Sequence, residues 1–416
     1  MLVKLALGVA LLAGVVMSGA RAAGPLPDVG TSGGNTPGDG FAQVLEPRAF
    51  EFPRDHGPHP AYRQEWWYVT GNLDSADGER FGFELTFFRF ALAPDTAVQS
   101  VAAALPSSSA ASALPVSIAH GPSPAASGQT GNSGDYPSRG VESSWRTGQI
   151  YMAHFAITDV ARKQFRFTEK LSRGAVGLAG ARNPPLHVWI DDWSLGTVDP
   201  DGAHWTLQAA ESGYELTLEA QALQPPVLNG DRGFSRKSSD PGSASYYYSI
   251  PRVSVRGRLV REGKPLAVQG LAWVDREWGS GTLSSSEQGW DWFALQLQDG
   301  TSLMFYSLRN HDGSRDSHSA GTWISAAGES RALSSDQVQI DVLDRWKNSR
   351  GDLYPAHWRV RVPAAGIDVD VRPVLPNQEL TTSARYWEGA VDVNGASEGQ
   401  RTGGRGYVEL VGHAAQ

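Results

Sequence analysis

Short runs of alternating apolar and polar residues recur along this chain from about residue 64 to residue 412, with turn sequences between them. Such alternation is typical of a β-strand with one buried face. Long stretches with helical spacing are scarce. Many short strands separated by regularly spaced turns predict a sandwich or a barrel, so we expect an all-β fold with few helices.

Two of the hairpin patterns resemble each other. The segments "QEWWYVTGNL" (64–73) and "FGFELTFFRF" (81–90) flank a turn that contains Asp77-Gly78, a pair typical of β-hairpins. A later stretch, "DWFALQLQDGTSLMFYSLR" (291–309), repeats the order acid, aromatics, Leu, Asp-Gly, aromatics, Arg. The repeat suggests two related halves, each about the size of one up-and-down barrel.

Composition divides the chain further. The turn-rich segment 224–245 predicts a domain boundary, with a first barrel over 48–240 and a second over 241–416. Residues 23–47 are rich in Gly, Pro and Ser and predict a flexible leader. Residues 91–146 are mostly Ala, Ser, Pro and Gly, which predicts a largely disordered insertion that acts as a spacer.

The first 22 residues are typical of a signal peptide. Lys4 precedes an apolar run, and Ala20-Arg21-Ala22 forms a cleavage site before Ala23. The run is too short to span a bilayer. The chain has no cysteine, which excludes disulfides, thiol catalysis, thiolate metal sites and a lipid-anchoring cysteine. We therefore expect a soluble protein in the periplasm or the medium.

Several classes of function are disfavoured by the sequence. The net charge is −8 and no basic block is present, so we expect no nucleic-acid partner. The ten histidines are scattered without ligand spacing, so we expect no metal. Phosphate-binding loops, dinucleotide fingerprints and a serine nucleophile elbow are missing from strand–helix context, so we expect no cofactor.

The stretch "GLAWVDREWGS" (270–280) places three charges between two tryptophans. In a strand, Trp273, Asp275 and Glu277 share one face, and Val274, Arg276 and Trp278 share the other. If the strand belongs to a barrel, one set points inward, and an inward charge must be paired or lose its charge. The stretch therefore predicts either a buried ion-pair network or a ligand chamber with aromatic walls and polar anchors.

Similar clusters of acids and aromatics recur along the chain, and Arg89 and Arg309 end the two hairpins where they could pair with these acids. His154 lies on a strand face and is expected inside a barrel. The predicted ligand-binding residues are Glu65, Trp66, Trp67, His154, Tyr247, Trp273, Arg276, Trp278, Trp290, Trp292 and Trp387.

Nine motifs occur in an order that resembles one family, the exported lipocalin-like AttH proteins, which are related to carotenoid 1,2-hydratase. They are "EWWYVTGNL", "YMAHFAITD", "LNGDRGFSRK", "SYYYSIPRVSVRG", "LAWVDREWGS", "GWDWFALQLQDG", "DLYPAHW", "YWEGAVDV" and "GRGYVEL". The resemblance extends from about residue 48 to 413 apart from the insertion. It implies two lipocalin-like antiparallel β-barrels packed side by side.

The hydratase branch of the family adds water across a terminal isoprenoid double bond. This chemistry needs an acid, a base and aromatic faces around the cation that forms between the two steps. The resemblance implies Asp275, Glu277 and Tyr306 as the catalytic candidates. The hydratases read Asp-His-x-Trp, whereas this chain has Arg276 in place of the histidine, and arginine cannot shuttle the proton. A Tyr-x-Asp motif also has no acid here, because Leu308 follows Tyr306-Ser307.

We therefore expect an exported protein that binds an apolar ligand, such as an isoprenoid or a lipid. The family resemblance implies a membrane permease of the transporter type as a companion. The alternative is an enzyme, a hydratase or a hydrolase, that uses Asp275, Glu277 and Tyr306. A carbohydrate-active site would need an acid pair in one open cleft, which a closed barrel disfavours.

Overall fold

The structure, a computed structural model, describes residues 40–94, 148–281, 284 and 286–414. Within these ranges it is nearly all β, with strands in two sheets and four 3-10 helices of three residues each, Arg54–His56, Ala175–Gly177, Ser335–Gln337 and Pro363–Ala365. The expected all-β fold is confirmed. The predicted signal peptide, most of the leader and nearly all of the predicted insertion lie outside the described residues.

The first sheet contains 13 strands. They are β1 (Gln64–Ser75), β2 (Arg80–Ala91), β3 (Gln149–Asp159), β4 (Gln164–Ser172), β5 (Ala179–Arg182), β6 (His187–Ile190), β7 (Trp193–Thr197), β8 (His204–Glu211), β9 (Tyr214–Ala222), β10 (Val227–Leu228), β11 (Phe234–Arg236), β12 (Ala244–Arg261) and β13 (Lys264–Gly279). Their order is β4-β3-β2-β1-β13-β12-β9-β8-β7-β6-β5, and β10 and β11 also pair with β12.

The second sheet contains ten strands. They are β14 (Glu287–Leu297), β15 (Ser302–Asn310), β16 (Ala320–Ile324), β17 (Ser330–Ser334), β18 (Gln339–Lys347), β19 (Leu353–Val362), β20 (Ile367–Pro373), β21 (Glu379–Thr381), β22 (Arg385–Ser397) and β23 (Gln400–Val411). Their order is β17-β16-β15-β14-β23-β22-β20-β19-β18, and β21 pairs with β22.

Both sheets are antiparallel and curled. The first forms a nearly closed barrel and the second a half-barrel. The two echoing sequence patterns are the hairpins β1–β2 and β14–β15. Gly78 has a φ of +80° in the turn of the first hairpin, a conformation that favours glycine.

The boundary between the sheets lies between Gly279 and Glu287, which corrects the expected boundary after residue 240. β12 and β13 return to the first sheet, where β13 pairs with β1 from Gln64↔Gly279 to Ser75↔Val268. The turn-rich segment 224–245 is therefore not a linker. Turn residues mark local reversals of the chain, and here they connect the short strands β10 and β11, which pair with β12.

The interior faces of the sheets hold two separate hydrophobic cores. A third buried cluster lies between the sheets and contains side chains of both, including Tyr68, Trp273, Trp292 and Tyr306. Successive residues of β1 alternate accordingly, with Trp67 in the first core and Tyr68 in the cluster between the sheets. The central strands are therefore buried on both faces.

A buried ion cluster occupies the first barrel beside its core. Arg276 Nη2 lies 3.0 Å from Glu65 Oε2, and Arg89 Nε pairs with Glu65 Oε1. The Arg276 guanidinium also stacks 4.0 Å from the ring centroid of Trp67. It also donates hydrogen bonds to the backbone carbonyls of His56, Gly57 and Trp66. Arg89 thus pairs with one of the acids as predicted, and the cluster ties the segment before β1 to β13.

Removing the Arg276 charge should destabilise the fold strongly. In Arg276→Met, Glu65 keeps Arg89 but loses its second cation inside the barrel. Three backbone carbonyls each lose one donor, although that of His56 keeps Trp67 Nε1. We expect a loss of about 3–5 kcal/mol in the free energy of unfolding, the usual cost of breaking a buried pair. Urea denaturation measures it. The exposed pair of Arg256 with Glu219 supplies the control, because Arg256→Met should cost less than about 1 kcal/mol. Equal losses would contradict this account.

Candidate functional site

The candidate site lies between the two sheets, on the strand faces that point away from both cores. Side chains cross this interface directly. Tyr68 Oη donates to Glu388 Oε1 at 2.7 Å, and Asn72 Nδ2 donates to the carbonyl of Gly406 at 3.1 Å. Arg80 pairs with Asp392 at the margin. The interface is therefore a polar layer enclosed between two apolar cores.

Asp275 is the centre of the first half of this layer. Its Oδ1 accepts hydrogen bonds from Ser249 Oγ at 2.5 Å and from Trp273 Nε1 at 2.7 Å. Its Oδ2 accepts one from Tyr247 Oη at 2.5 Å. Tyr247 in turn accepts a bond from Trp292 Nε1 at 3.1 Å, which joins the second sheet to the network.

A second branch of the network also reaches Asp275 from the half-barrel. Thr322 Oγ1 in β16 donates to Asn229 Oδ1 at 2.8 Å, and Asn229 Nδ2 donates to Ser249 Oγ at 2.9 Å. Asn229 belongs to the segment between β10 and β11. The site is thus assembled from both sheets and from the segment that sequence analysis had treated as a boundary.

Burial raises the pKa of Asp275 to about 7, although the three hydrogen bonds that it accepts oppose this shift. Those bonds favour the charged carboxylate, whereas the loss of water favours the neutral acid. Near neutral pH the two forms are therefore close in free energy. A group in this condition can give or take a proton.

Glu277 and Tyr306 lie beside Asp275 and share one cation. Lys237 Nζ is 3.1 Å from Glu277 Oε1 and 4.1 Å from the ring centroid of Tyr306. Tyr306 Oη is 2.9 Å from Ser235 Oγ. Glu277 Oε1 also accepts a hydrogen bond from Ser245 Oγ, so this oxygen is engaged by two donors of the protein.

Aromatic rings enclose this polar group. Trp273 and Trp292 pack edge to face with centroids 6.3 Å apart, and Tyr68 packs against Trp292 at 5.1 Å. Trp66 and Trp290 are only partly buried and pack against the same cluster. The arrangement combines apolar walls with a few fixed polar groups, which is the usual composition of a small-molecule site.

A second group of acids continues across the interface. Glu388 and Glu409 are neighbours on β22 and β23, and Trp290 Nε1 donates to Glu409 Oε2 at 3.2 Å. Burial raises the pKa of Glu409 to about 8, and the charge of Glu84 adds to the shift. Burial, followed by the charges of Glu84 and Glu409, raises the pKa of Glu388 well above its ordinary range.

The structure brings together six of the sequence-predicted site residues, namely Asp275, Glu277, Tyr306, Tyr247, Trp273 and Trp292. Trp66 and Trp290 lie at the edge of the same cluster. His154 faces the interface too, but its partners are Tyr386 and Glu169.

Five predicted ligand-binding residues lie elsewhere. Glu65 and Arg276 belong to the ion cluster of the first barrel, and Trp67 and Trp278 to its core. Trp387 lies in the core of the half-barrel. They are on the opposite faces of their strands, so they do not line the interface between the sheets.

The site residues predicted from the sequence do not include Lys237, Ser249, Glu388 or Glu409. The motif "YWEGAVDV" did contain a signal for one of them, because alternation places Glu388 on the face opposite Trp387. An acid on that face normally lies in water. The first sheet, which packs across the interface, buries it, and no local sequence pattern predicts that packing.

Among the described ranges, no group of three His, Asp or Glu side chains is arranged to hold a metal ion. In the same part of the chain, no helix has the length and apolar character needed to cross a membrane.

Comparison with known proteins gives a consistent result for family and fold. The AttH-like family matches residues 43–114 and 130–413, so the unmatched stretch 115–129 lies within the predicted insertion. The crystal structure of a putative AttH from Nitrosomonas europaea is 32% identical, covers 90% of this chain and 100% of its own, and has a TM-score of 0.72.

A more distant structure shares the fold alone. Kievitone hydratase from Nectria haematococca is 13% identical over 89% of this chain and 98% of its own, with a TM-score of 0.61. Comparison with functionally curated proteins gives no match.

The buried acids predict that stability falls as pH rises. The folded state keeps the Glu409 proton up to about pH 8, whereas an unfolded glutamate loses it near about pH 4.3. Between these values the folded state binds more protons, so the free energy of unfolding decreases with pH. Glu409→Gln should flatten this decline, as measured by urea denaturation across the window. Exposed Glu215→Gln should keep the wild-type slope. A Glu409→Gln slope equal to that of the wild type would contradict the assignment.

Proposed function

This chain belongs to the AttH-like family, and on that premise we propose that it binds a largely apolar ligand of the isoprenoid or lipid class between its two sheets. The observation that carries the proposal is the polar network around Asp275, held within walls of Trp273, Trp292 and Tyr306. Apolar surface supplies most of the binding free energy, and a few polar groups orient the ligand.

The interior of the first barrel is a less suitable place for the ligand. Its core includes the fully buried side chains of Trp67, Trp193 and Trp278, together with the Arg276–Glu65 pair. Displacing these side chains would break a buried ion pair and uncover large apolar surfaces. The interface, in contrast, has Trp66 and Trp290 partly exposed at its margin, where a ligand can make first contact.

The proposal extends to location and partner. The predicted signal peptide supports a role outside the cytoplasm, and the family resemblance supports delivery of the ligand to or from a membrane permease. An apolar molecule needs a carrier in the periplasm or in the medium because it is poorly soluble in water.

Binding can be tested with geranylgeraniol and oleic acid as probes. We expect at least one to raise the melting temperature and to bind by titration calorimetry. Trp292→Leu should weaken that binding by about tenfold, equivalent to about 1.4 kcal/mol, because it removes an aromatic wall and the donor to Tyr247. Trp189→Leu is the matched control, since Trp189 stacks on His187 on β6, away from the interface. Failure of both probes to bind the wild-type protein would contradict the proposal.

A second candidate function is hydration of an isoprenoid double bond, favoured by the pKa of Asp275 near neutrality. The Asp275 carboxyl would give its proton to one alkene carbon, and the cation on the other carbon would face Trp273 and Trp292. Water would then attack that carbon and lose a proton to the Asp275 carboxylate. One carboxyl thus serves as acid and base, and the missing histidine at Arg276 is not required.

The hydratase candidate predicts that Asp275→Asn abolishes turnover of an acyclic carotenoid without unfolding the protein, because an amide cannot deliver the proton. The wild-type rate should fall as pH rises through about 7, where Asp275 loses the proton that it must donate. Product analysis by liquid chromatography measures both effects, with Asp191→Asn on the surface as the control. Normal turnover in Asp275→Asn would exclude this mechanism and leave the binding proposal standing.

A further inference from the structure

A second hydrogen-bonded chain crosses the interface on the side of β2, β3 and β22. Glu169 Oε2 is 3.0 Å from His154 Nε2, and His154 Nδ1 is 2.6 Å from Tyr386 Oη. Tyr386 Oη donates to Glu84 Oε1 at 2.9 Å. Three short contacts thus connect Glu169 on β4 to Glu84 on β2 through residues of β3 and β22.

The two ends of the chain differ in their exposure. The Glu169 side chain is 15% exposed and also accepts a bond from Ser383, so it reaches the surface. Glu84 and His154 are fully buried, and Tyr386 is nearly so. The chain therefore leads from the solvent to the polar layer between the sheets.

Every member of the chain can both take up and release a proton. We propose that Glu169, His154 and Tyr386 form a proton path through which the buried Glu84 carboxyl exchanges its proton with solvent. In the inward direction, His154 passes its Nδ1 proton to Tyr386 Oη, and Tyr386 passes its own hydroxyl proton to Glu84 Oε1. His154 takes a new proton at Nε2 by way of Glu169 as its Nδ1 proton leaves, so it ends as the other neutral tautomer. The reverse sequence, which carries a proton outward, restores the starting tautomer.

The inner end of the path is built to receive a proton. Glu84 Oε2 has no hydrogen-bond partner among the described residues, and neither has Glu388 Oε2 across the interface. Burial raises the pKa of Glu84, whereas the charge of His154 and the hydrogen bonds that Glu84 accepts from Tyr386 and Thr86 oppose this shift. The titratable groups that face Glu84 are His154 on β3, Tyr68 on β1, Tyr386 and Glu388 on β22, and Tyr407 and Glu409 on β23.

The path gives Glu84 a route that does not require the fold to open. A carboxyl enclosed between two packed sheets would otherwise exchange its proton only when the sheets separate locally, which is slow. This inference does not depend on the identity of the ligand or on catalysis at Asp275. It assigns to the second half of the interface an activity of its own, transfer of protons between solvent and the interior.

Infrared spectroscopy of the full chain tests the proposal directly. The carbonyl stretching band of protonated Glu84 is identified by its loss in Glu84→Gln. Its rate of shift after mixing into D2O reports exchange of the carboxyl proton. Tyr386→Phe keeps the ring that stacks on His154 but removes the hydroxyl, and it should slow this exchange by about 100-fold, the smallest effect usual for loss of a positioned proton donor. His154→Phe should have the same effect.

Tyr407→Phe is the matched control, because Tyr407 is a buried interface tyrosine outside the chain of three contacts. It should exchange at the wild-type rate. Circular dichroism and the melting temperature show whether each variant is folded. If His154→Phe does not fold, the exchange rate of Tyr386→Phe alone tests the proposal. Exchange in folded Tyr386→Phe as fast as in the wild type would overturn the proposal. So would the absence, at any pH, of a band that Glu84→Gln removes.

Discussion

β1, β2 and the second half of β13 (272–279) are buried on both faces, and this constraint shapes the rest of the structure. A strand with one wet face can place its polar residues in water, but these strands cannot. One face of each packs into the core of the first barrel, apart from the Arg276–Glu65–Arg89 cluster. The other face carries polar side chains that must find partners in the second sheet, because a buried polar group without a partner is costly.

Neighbouring residues on β13 show two solutions to this problem. Arg276 and Glu65 neutralise each other inside the barrel, and although burial alone would raise the pKa of Glu65, Arg89 and Arg276 hold it well below its usual range. Asp275 points the opposite way, and within the described part of the chain it accepts hydrogen bonds only from neutral donors. The first arrangement fixes a charge in place. The second leaves the protonated and charged forms of Asp275 close in free energy near neutral pH, because burial raises its pKa to about 7.

Much of this was predictable where the information is local. Period-two alternation separated Asp275 from Arg276 correctly, the two hairpins were found, and Arg89 and Arg309 pair with Glu65 and Asp291. The features that could not be predicted depend on contacts between residues distant in sequence. The pairing of β1 with β13 moved the boundary between the sheets, and the burial of Glu388 needs the opposing sheet. Lys237 lies in a segment whose glycines and serines indicated only turns, so its place between Glu277 and Tyr306 had no local signature.

The return of β12 and β13 to the first sheet has a consequence for biosynthesis. During translation β1 emerges early, but its neighbour on one side is not made until the ribosome has passed Gly279. Until then the nascent chain exposes an open, aromatic-rich strand edge, which invites pairing with other chains. The N-terminal half therefore cannot complete its barrel as an independent unit, and a chain interrupted before residue 264 lacks β13 altogether. The order of the strands along the chain thus sets how long that edge of β1 stays unpaired during synthesis.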